Sequence, residues 1–112
     1  MLQLSSFQER GGFVDPHPVK KAIEWTDEKG ETHSGELFVV RQPFGVVEKS
    51  LMDKDAVKDR AALAHMISLC IRFGEDASEQ LSYEQAYALN PSAAWAMVSA
   101  IDEVNAPRAV AR

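Results

Sequence analysis

Residues 19–41 read VKKAIEWTDEKGETHSGELFVVR, and this segment sets the class of fold that we expect. Over residues 19–25, most apolar side chains fall on one face of an extended chain, as in a β-strand with one buried face. A second strand-forming run covers residues 36–41, and the polar cluster at 27–30 between the runs ends in a glycine suited to a turn. The sequence therefore predicts a β-hairpin over about 19–41. Because an isolated hairpin is marginally stable in water, it must pack on another element.

A long helix is predicted next, over about 51–73. Apolar residues recur there at intervals of three and four and form two adjacent stripes: Val57, Ala61, Ala64, Ile67 and Ile71 in one, and Leu63, Met66, Cys70 and Phe73 in the other. An apolar surface this wide is typical of a helix in the protein core. Acidic residues near the start suit the positive end of the helix dipole, and Gly74 is placed to end the helix.

Two shorter helices are predicted over about 83–89 and 91–105. Ser82 and Gln85 have the spacing of a capping box, and Asn90-Pro91 combines a favoured N-cap with proline at the first helical position. These helices and the hairpin indicate a mixed α+β fold. We expect the N-terminal hairpin to pack on a C-terminal bundle of about three helices.

The chain divides into a central domain and two terminal segments. Residues 1–18 show no sustained period and include Asp15-Pro16-His17-Pro18, where the prolines forbid a helix, so we expect a loosely held, flexible N-terminal arm. Apolar residues in this arm could attach it to another surface: Leu2, Leu4, Phe7, Phe13 and Val14. Residues 19–105 are expected to form a single α+β domain, and residues 106–112 a short basic tail.

The composition limits the classes of partner. Twelve Lys and Arg against seventeen Asp and Glu give a net charge of −5, which argues against binding to nucleic acid. The single cysteine excludes an internal disulfide framework, and no apolar run approaches the ~20 residues that span a bilayer. Residues 1–10 lack the pattern of a signal peptide. We therefore expect a soluble protein of a reducing cytoplasm, without membrane contact.

The sequence offers no recognisable catalytic or metal site. The three histidines, His17, His33 and His65, are far apart and have no helical ligand spacing. Cys70 lies among apolar residues, where a thiol has a raised pKa and acts as a small hydrophobic side chain. The acidic residues near 53–59 do not follow the pattern of a calcium loop. We expect no cofactor and no metal, and a binding protein rather than an enzyme.

Five residues are candidate contacts with a partner: Trp25, Arg41, Phe44, Met52 and Trp95. Tryptophan is enriched among residues that dominate binding energy, but the sequence favours burial in the core for Trp95 and leaves both interpretations open for Trp25. The segment with Arg41 and Phe44 follows a strand and offers an exposed anchor. The flexible thioether of Met52 suits an adaptable surface.

Three segments resemble tailed-phage tail assembly chaperones. Residues 60–71, RAALAHMISLCI, are similar to the middle helix of that family, and residues 79–89, EQLSYEQAYAL, to its step of the form Leu-Ser/Thr-x-Glu-Gln-Ala-x-x-Leu. Residues 90–105 resemble the closing helix, which ends near Glu-Val-Asn in many members. The hairpin also lies where the family has a β-rich segment, so the likeness covers roughly residues 19–105.

The resemblance implies a role in building a long phage tail. Such proteins bind the tape measure protein in the host cytoplasm, keep its hydrophobic helices soluble and help recruit tail tube subunits, but are absent from the mature virion. Members often self-associate, which implies a homo-oligomer, and a frameshift often adds a second domain to some copies. The alternative is a small acidic phage-encoded inhibitor that binds a host protein, with an acidic surface that imitates nucleic acid.

Overall fold

The computed structural model describes residues 1–46 and 61–105. In chain order the elements are α1 (Leu4–Glu9), β1 (Val19–Thr26), β2 (Thr32–Val39), α2 (Ala62–Cys70), β3 (Ile71–Phe73), β4 (Glu79–Gln80), α3 (Tyr83–Tyr87) and α4 (Pro91–Asn105). This is the predicted mixed α+β class. The first half of the predicted long helix, the candidate contact Met52 and the basic tail lie outside the described residues.

The predicted hairpin is confirmed and forms one edge of a four-stranded antiparallel sheet with the order β1-β2-β3-β4. Its register runs from Val19 opposite Val39 to Thr26 opposite Thr32. At the turn, Asp27 Oδ1 accepts hydrogen bonds from the backbone N–H groups of Lys29 at 2.8 Å and Glu31 at 3.0 Å. Gly30 adopts a φ of +88°, a conformation that glycine enters without steric cost.

The predicted C-terminal end of the long helix was wrong. The helix ends at Cys70, and Ile71–Phe73 forms β3, which pairs with β2 through Val39 opposite Ile71. Ile71 and Val39 are fully buried. The apolar run at the end of the helix is too short for its periodicity to distinguish a helix from a strand. Residues 71–73 become a strand because they pair with the edge of β2 that the hairpin leaves free. Gly74, expected to end the helix, has a φ of +89° in the turn between β3 and β4.

The two C-terminal helices follow their local signals. Ser82 Oγ accepts from the Gln85 N–H at 3.1 Å, and Gln85 Oε1 accepts from the Ser82 N–H at 2.9 Å, so the capping box of α3 is formed. This helix ends at Tyr87, two residues earlier than predicted. The bounds of α4 are the predicted ones, and Asn90 Oδ1 accepts from the Ser92 N–H at 2.8 Å.

Helix α4 runs antiparallel to β1 and packs on it. At one end, Ser92 Oγ accepts from the Thr26 N–H at 2.9 Å, and at the other end Lys21 forms an ion pair with Glu103. Apolar residues of the sheet, α2, α3 and α4 make up the core: Ile23, Leu37, Val39, Ile67, Cys70, Ile71, Ala86, Met97, Ala100 and Ile101. Cys70 is buried as predicted, and this burial raises the pKa of its thiol to about 11.

The N-terminal arm contains a helix that the sequence did not predict. Helix α1 has six residues, which is too short to show a helical period, and none of them is buried. Phe7 and Phe13 meet edge to face with ring centroids 5.7 Å apart. The Gly12 N–H donates to the Phe7 carbonyl at 2.9 Å. The arm therefore has local structure, although its helix contributes nothing to the core.

Candidate functional site

An apolar groove of about 260 Å³ opens on the surface between α2, α3 and α4. We call it the helical groove. Each helix contributes one large, exposed hydrophobic side chain: Leu63 of α2 is 46 % exposed, Tyr87 of α3 is 68 % exposed and Trp95 of α4 is 60 % exposed. Exposed apolar surface gathered at one place is a feature of binding sites, whereas single exposed hydrophobic residues are ordinary.

The groove exists because α4 carries two apolar stripes and the sheet side covers only one of them. The buried stripe consists of Ala93, Met97, Ala100 and Ile101. The second stripe consists of Pro91, Ala94, Trp95 and Val98, which line the groove and follow the spacing of neighbours on one helix face. This second stripe faces the space between the helices, so its largest side chain stays accessible to a partner.

Small side chains form the floor of the groove. Ala64, Ala86 and Ala94 lie between the larger residues, and the buried Ile67 connects the floor to the core. Alanine leaves room next to tryptophan and tyrosine, so an apolar side chain from another molecule can enter. Because Ala86 and Ile67 belong to the buried core and Ala64 and Ala94 pack against it, the fold holds the shape of the floor.

Contacts of Tyr83 hold α3 against the start of α2. Its hydroxyl accepts a hydrogen bond from the Ala61 N–H at 2.8 Å, and its ring meets the His65 ring edge to face at 6.3 Å. The same ring lies 6.0 Å from the ring of Tyr87. These contacts place the Tyr87 side chain at the rim of the groove.

The helical groove is apolar where the structure describes its lining. None of its described lining residues carries a charge, although the chain as a whole has a net charge of −5. Burying apolar surface here would therefore desolvate no ion, which favours an apolar ligand such as one face of an amphipathic helix. Among the described residues, no helix has the length and apolar character needed to cross a bilayer.

A second apolar cavity, of about 380 Å³, lies between the hairpin and α4. Trp25 lines it together with Ile23, Leu37 and Met97. The Trp25 ring stacks on the His33 ring with centroids 5.7 Å apart and an angle of 29° between the planes. Trp25 is thus half-buried and held by contacts within its own hairpin.

The structure describes four of the five candidate contacts that the sequence suggested and does not bring these four together. Trp95 lies in the helical groove and is exposed, so the favoured interpretation that it is buried in the core was wrong. Trp25 lines the other cavity. Arg41 is half-buried and Phe44 is 75 % exposed; both follow β2, and neither lines the groove. Their roles as partner contacts stay predictions.

Sequence reasoning missed Leu63 and Tyr87 as site residues. Leu63 belongs to a helical stripe that was interpreted as core, and Tyr87 ends a five-residue helix with no period of its own. Only one feature of the sequence pointed to a groove: α2 and α4 have more apolar residues than one buried helix face can hold. The position of the groove required three helices to converge.

The hairpin turn gathers Asp27, Glu31 and His33, whose ligand atoms lie within 4.8 Å of one another. Both oxygens of Asp27 are already engaged there, Oδ1 by backbone N–H groups and Oδ2 by the His33 Nε2–H at 2.7 Å. The hydrogen bond from His33, followed by that from the Glu31 backbone, lowers the pKa of the Asp27 carboxyl. These bonds account for the cluster as part of the turn.

Comparison with known families identifies the chain. A family model described as "Phage tail assembly chaperone, TAC" matches residues 5–105, which includes most of the N-terminal arm. No curated protein and no solved structure matches the chain. The family match covers nearly the whole sequence. It gives the same family as the resemblance seen in the sequences of α2, α3 and α4. The chain therefore belongs to the phage tail assembly chaperone family.

Proposed function

We propose that this chain binds the tape measure protein of its phage through the helical groove and keeps that protein soluble during tail assembly. The observation that carries the proposal is the convergence of Leu63, Tyr87 and Trp95 on one surface groove whose described lining residues are uncharged. Family membership supports a partner among phage tail proteins. The groove supplies the surface on which such a partner would bind.

The geometry suits an amphipathic helix as the bound segment. A helix binds a groove by inserting apolar side chains spaced three or four residues apart, which matches a trough with walls from three helices. Trp95 and Tyr87 are the expected anchors, because large aromatic side chains dominate binding energy at protein interfaces. A long hydrophobic helix would thereby have part of its apolar face covered.

The acidic character of the chaperone would keep the complex in solution. The chain has a net charge of −5, and none of the described residues that line the groove is charged. Charge of one sign on the outer surface opposes association between complexes. We propose that this non-enzymatic binding takes place in the host cytoplasm and that the chaperone is absent from the mature virion.

The proposed recruitment of tail tube subunits needs a second surface. Among the described residues that were predicted as contacts, Trp25, Arg41 and Phe44 do not line the groove, and Met52 lies outside the described residues. Phe44 is the most exposed of those that the structure describes. We therefore propose the segment after β2, with Arg41 and Phe44, as the contact with the tail tube protein.

Co-expression with the tape measure protein of the same phage tests the main proposal. We expect the tape measure protein to remain soluble and to co-elute with the wild-type chaperone in gel filtration. The double variant Tyr87→Ser/Trp95→Ser should lose the complex, whereas the control Phe44→Ser should retain it. Both replaced groove residues are more than half exposed, so the fold should survive their loss.

Two results would contradict this proposal. If the tape measure protein stays insoluble with the wild-type chain and no complex elutes, the function is wrong. If the double variant binds as well as the wild type, the groove is not the binding site. Capture of one host nucleic-acid-binding protein, with no tail protein, would instead favour the acidic inhibitor.

A further inference from the structure

The half of β2 nearest the hairpin turn has a free edge. Strand β3 has three residues and pairs with β2 only through Phe38 and Val39, so no described strand lies beside residues 32–36 on that side. The chain leaves the sheet at Gly74, whose φ of +89° begins the turn toward β4. All residues of the segment 32–36 are exposed. We call this segment the β2 edge.

The backbone of the β2 edge offers hydrogen-bonding groups on the side away from β1. The Val40 N–H donates to the Cys70 carbonyl at 2.7 Å, so this residue of the even-numbered set points toward β3. Backbone groups alternate between the two sides of an antiparallel strand, so those of Thr32, Ser34 and Glu36 point the same way. Among the described residues, none forms a backbone hydrogen bond with these groups.

The other free edge of the hairpin, on β1, has features that protect it from pairing. Lys20 and Lys21 lie on this strand, and Thr26 at its far end bonds through its N–H to Ser92 and through its carbonyl to Asn90. Lysine and covering elements discourage pairing with another chain, as do proline and bulges. The β2 edge, THSGE, contains no lysine or proline, and its register with β1 has no bulge. It is therefore open to an added strand.

The apolar cavity of about 380 Å³ between the hairpin and α4 borders this edge. Its lining includes Trp25, Phe73, Met97 and, from the edge itself, Gly35. Gly35 has no positive φ, and a Cβ there would meet nothing within 4 Å, so neither the backbone nor the packing requires glycine. Glycine within a strand often marks the close approach of a ligand or another backbone. Since an apolar cavity of ~150 Å³ holds benzene, this one has room for an aromatic ring.

The opposite face of the same edge is acidic. Side chains alternate along a strand, so Glu36 lies on the face opposite to Gly35. It lines a surface depression together with Glu75, Lys20 and Phe38, and the Lys20 Nζ lies 5.9 Å from the centre of the Phe38 ring. Among the described residues, neither Glu36 nor Glu75 forms an ion pair. A basic side chain that reaches this face would therefore meet two carboxylates.

We propose that the β2 edge binds an extended segment of a partner protein, which pairs antiparallel with residues 32–36 and inserts a large apolar side chain into the cavity. Segments that add to a sheet edge gain affinity from main-chain hydrogen bonds and specificity from pockets for alternate side chains. The partner residue opposite Gly35 faces the cavity, and the residue before it, opposite Glu36, faces the carboxylates. The recognised pattern is a basic residue followed directly by a large apolar one. This proposal does not rest on the proposed function.

The segments of this chain outside the described residues lack that pattern. In residues 47–60, VEKSLMDKDAVKDR, no lysine or arginine is followed directly by a large apolar residue. The same holds for residues 106–112, APRAVAR. The two carboxylates and the cavity are therefore matched better by a segment of another protein.

Hydrogen exchange measured by NMR on the full chain tests the proposal with a blocked five-residue peptide, Thr-Lys-Phe-Thr-Thr. In the free chain, the Thr32, Ser34 and Glu36 amides should exchange faster than the Phe38 amide, which faces β3. Saturating peptide should slow exchange at these three amides by at least roughly tenfold. The Ala22 amide, on the β1 edge, is the matched control and should not change.

Chain variants separate binding from folding. Gly35→Leu fills the cavity, and Ser34→Pro removes an outward N–H at a position where an edge strand tolerates proline. Each should weaken peptide binding at least roughly tenfold, followed by Trp25 fluorescence in a Trp95→Phe background. Ala22→Pro makes the same backbone change on the β1 edge and should bind normally. Circular dichroism would establish that each variant keeps its fold.

Changes in the peptide test the recognised pattern. Replacing its phenylalanine by serine, or its lysine by glutamate, should also weaken binding at least roughly tenfold.

Three results would overturn the proposal. If the three edge amides are already protected in the free chain, another part of the chain or a second copy covers the edge. If Gly35→Leu binds the peptide as well as the unmodified chain, the cavity is not the pocket. If no peptide binds, or the serine peptide binds equally well, the edge does not recognise this pattern.

Discussion

Replacing Ile71 by alanine should destabilise the protein severely, because this side chain joins the hairpin to the helical half of the core. Ile71 is fully buried and lies opposite the fully buried Val39 in the register between β2 and β3. Truncation of a buried isoleucine to alanine costs about 2–5 kcal/mol through lost transfer energy and the cavity left behind. That is a large fraction of the ~5–15 kcal/mol that stabilises a small domain.

Urea unfolding followed by circular dichroism measures this free energy. The matched control is Leu63→Ala, which removes a similar side chain that is 46 % exposed on the preceding helix and should cost less than ~1 kcal/mol. The Tm of the Ile71→Ala variant should fall by at least about 8 °C, given roughly 4 °C per kcal/mol for a domain of this size.

The comparison also discriminates between strand and helix for Ile71–Phe73. If this segment continued the helix, alanine would improve its helical propensity by up to ~0.7 kcal/mol and offset part of the loss. The structure, in contrast, places Ile71 in a strand, where alanine is disfavoured. A loss below that of Leu63→Ala, or a gain in helical signal, would refute the reasoning.

Three further predictions concern local features. Ser82→Ala should lower the free energy of unfolding by about 1 kcal/mol in urea titrations, since it removes the acceptor of the α3 capping box; an unchanged midpoint would contradict this. The pKa of Asp27 is lowered in the folded protein, so its ionised form stabilises the turn. This stabilisation is fully present above the unfolded pKa of ~3.9 and is lost as the pH falls through the lower, folded pKa. Asp27→Asn should therefore make the Tm less dependent on pH in the acid range. Native Cys70 should resist a thiol reagent at neutral pH and react once urea unfolds the chain; rapid labelling of the folded protein would show that the site is open.

Sequence patterns were sufficient where the physical cause of a structure is local. The hairpin turn depends on Asp27 and Gly30, which act within a few residues, and the bounds of α4 depend on Asn90-Pro91 and its apolar period. The capping box of Ser82 and Gln85 is likewise a contact across three residues. Such signals are visible in any single sequence, because the interacting groups are neighbours along the chain.

Three elements were missed, and besides the two-residue strand β4 they are β3 and α1. Strand β3 forms because residue 71 meets residue 39, a partner 32 positions away along the chain. Helix α1 is too short for a period to be recognised, and none of its residues is buried. In both cases the residue types agree with more than one conformation.

The sequence determined the α+β class, the hairpin and the two C-terminal helices, and its likeness to the chaperone family agrees with the family match over residues 5–105. Only the tertiary structure decided which apolar stripe of α4 is covered and which remains open. Leu63, Tyr87 and Trp95 come from three different helices, so their convergence depends on packing contacts between distant residues. The period of a helix identifies its apolar faces, but what covers each face depends on where the rest of the chain folds.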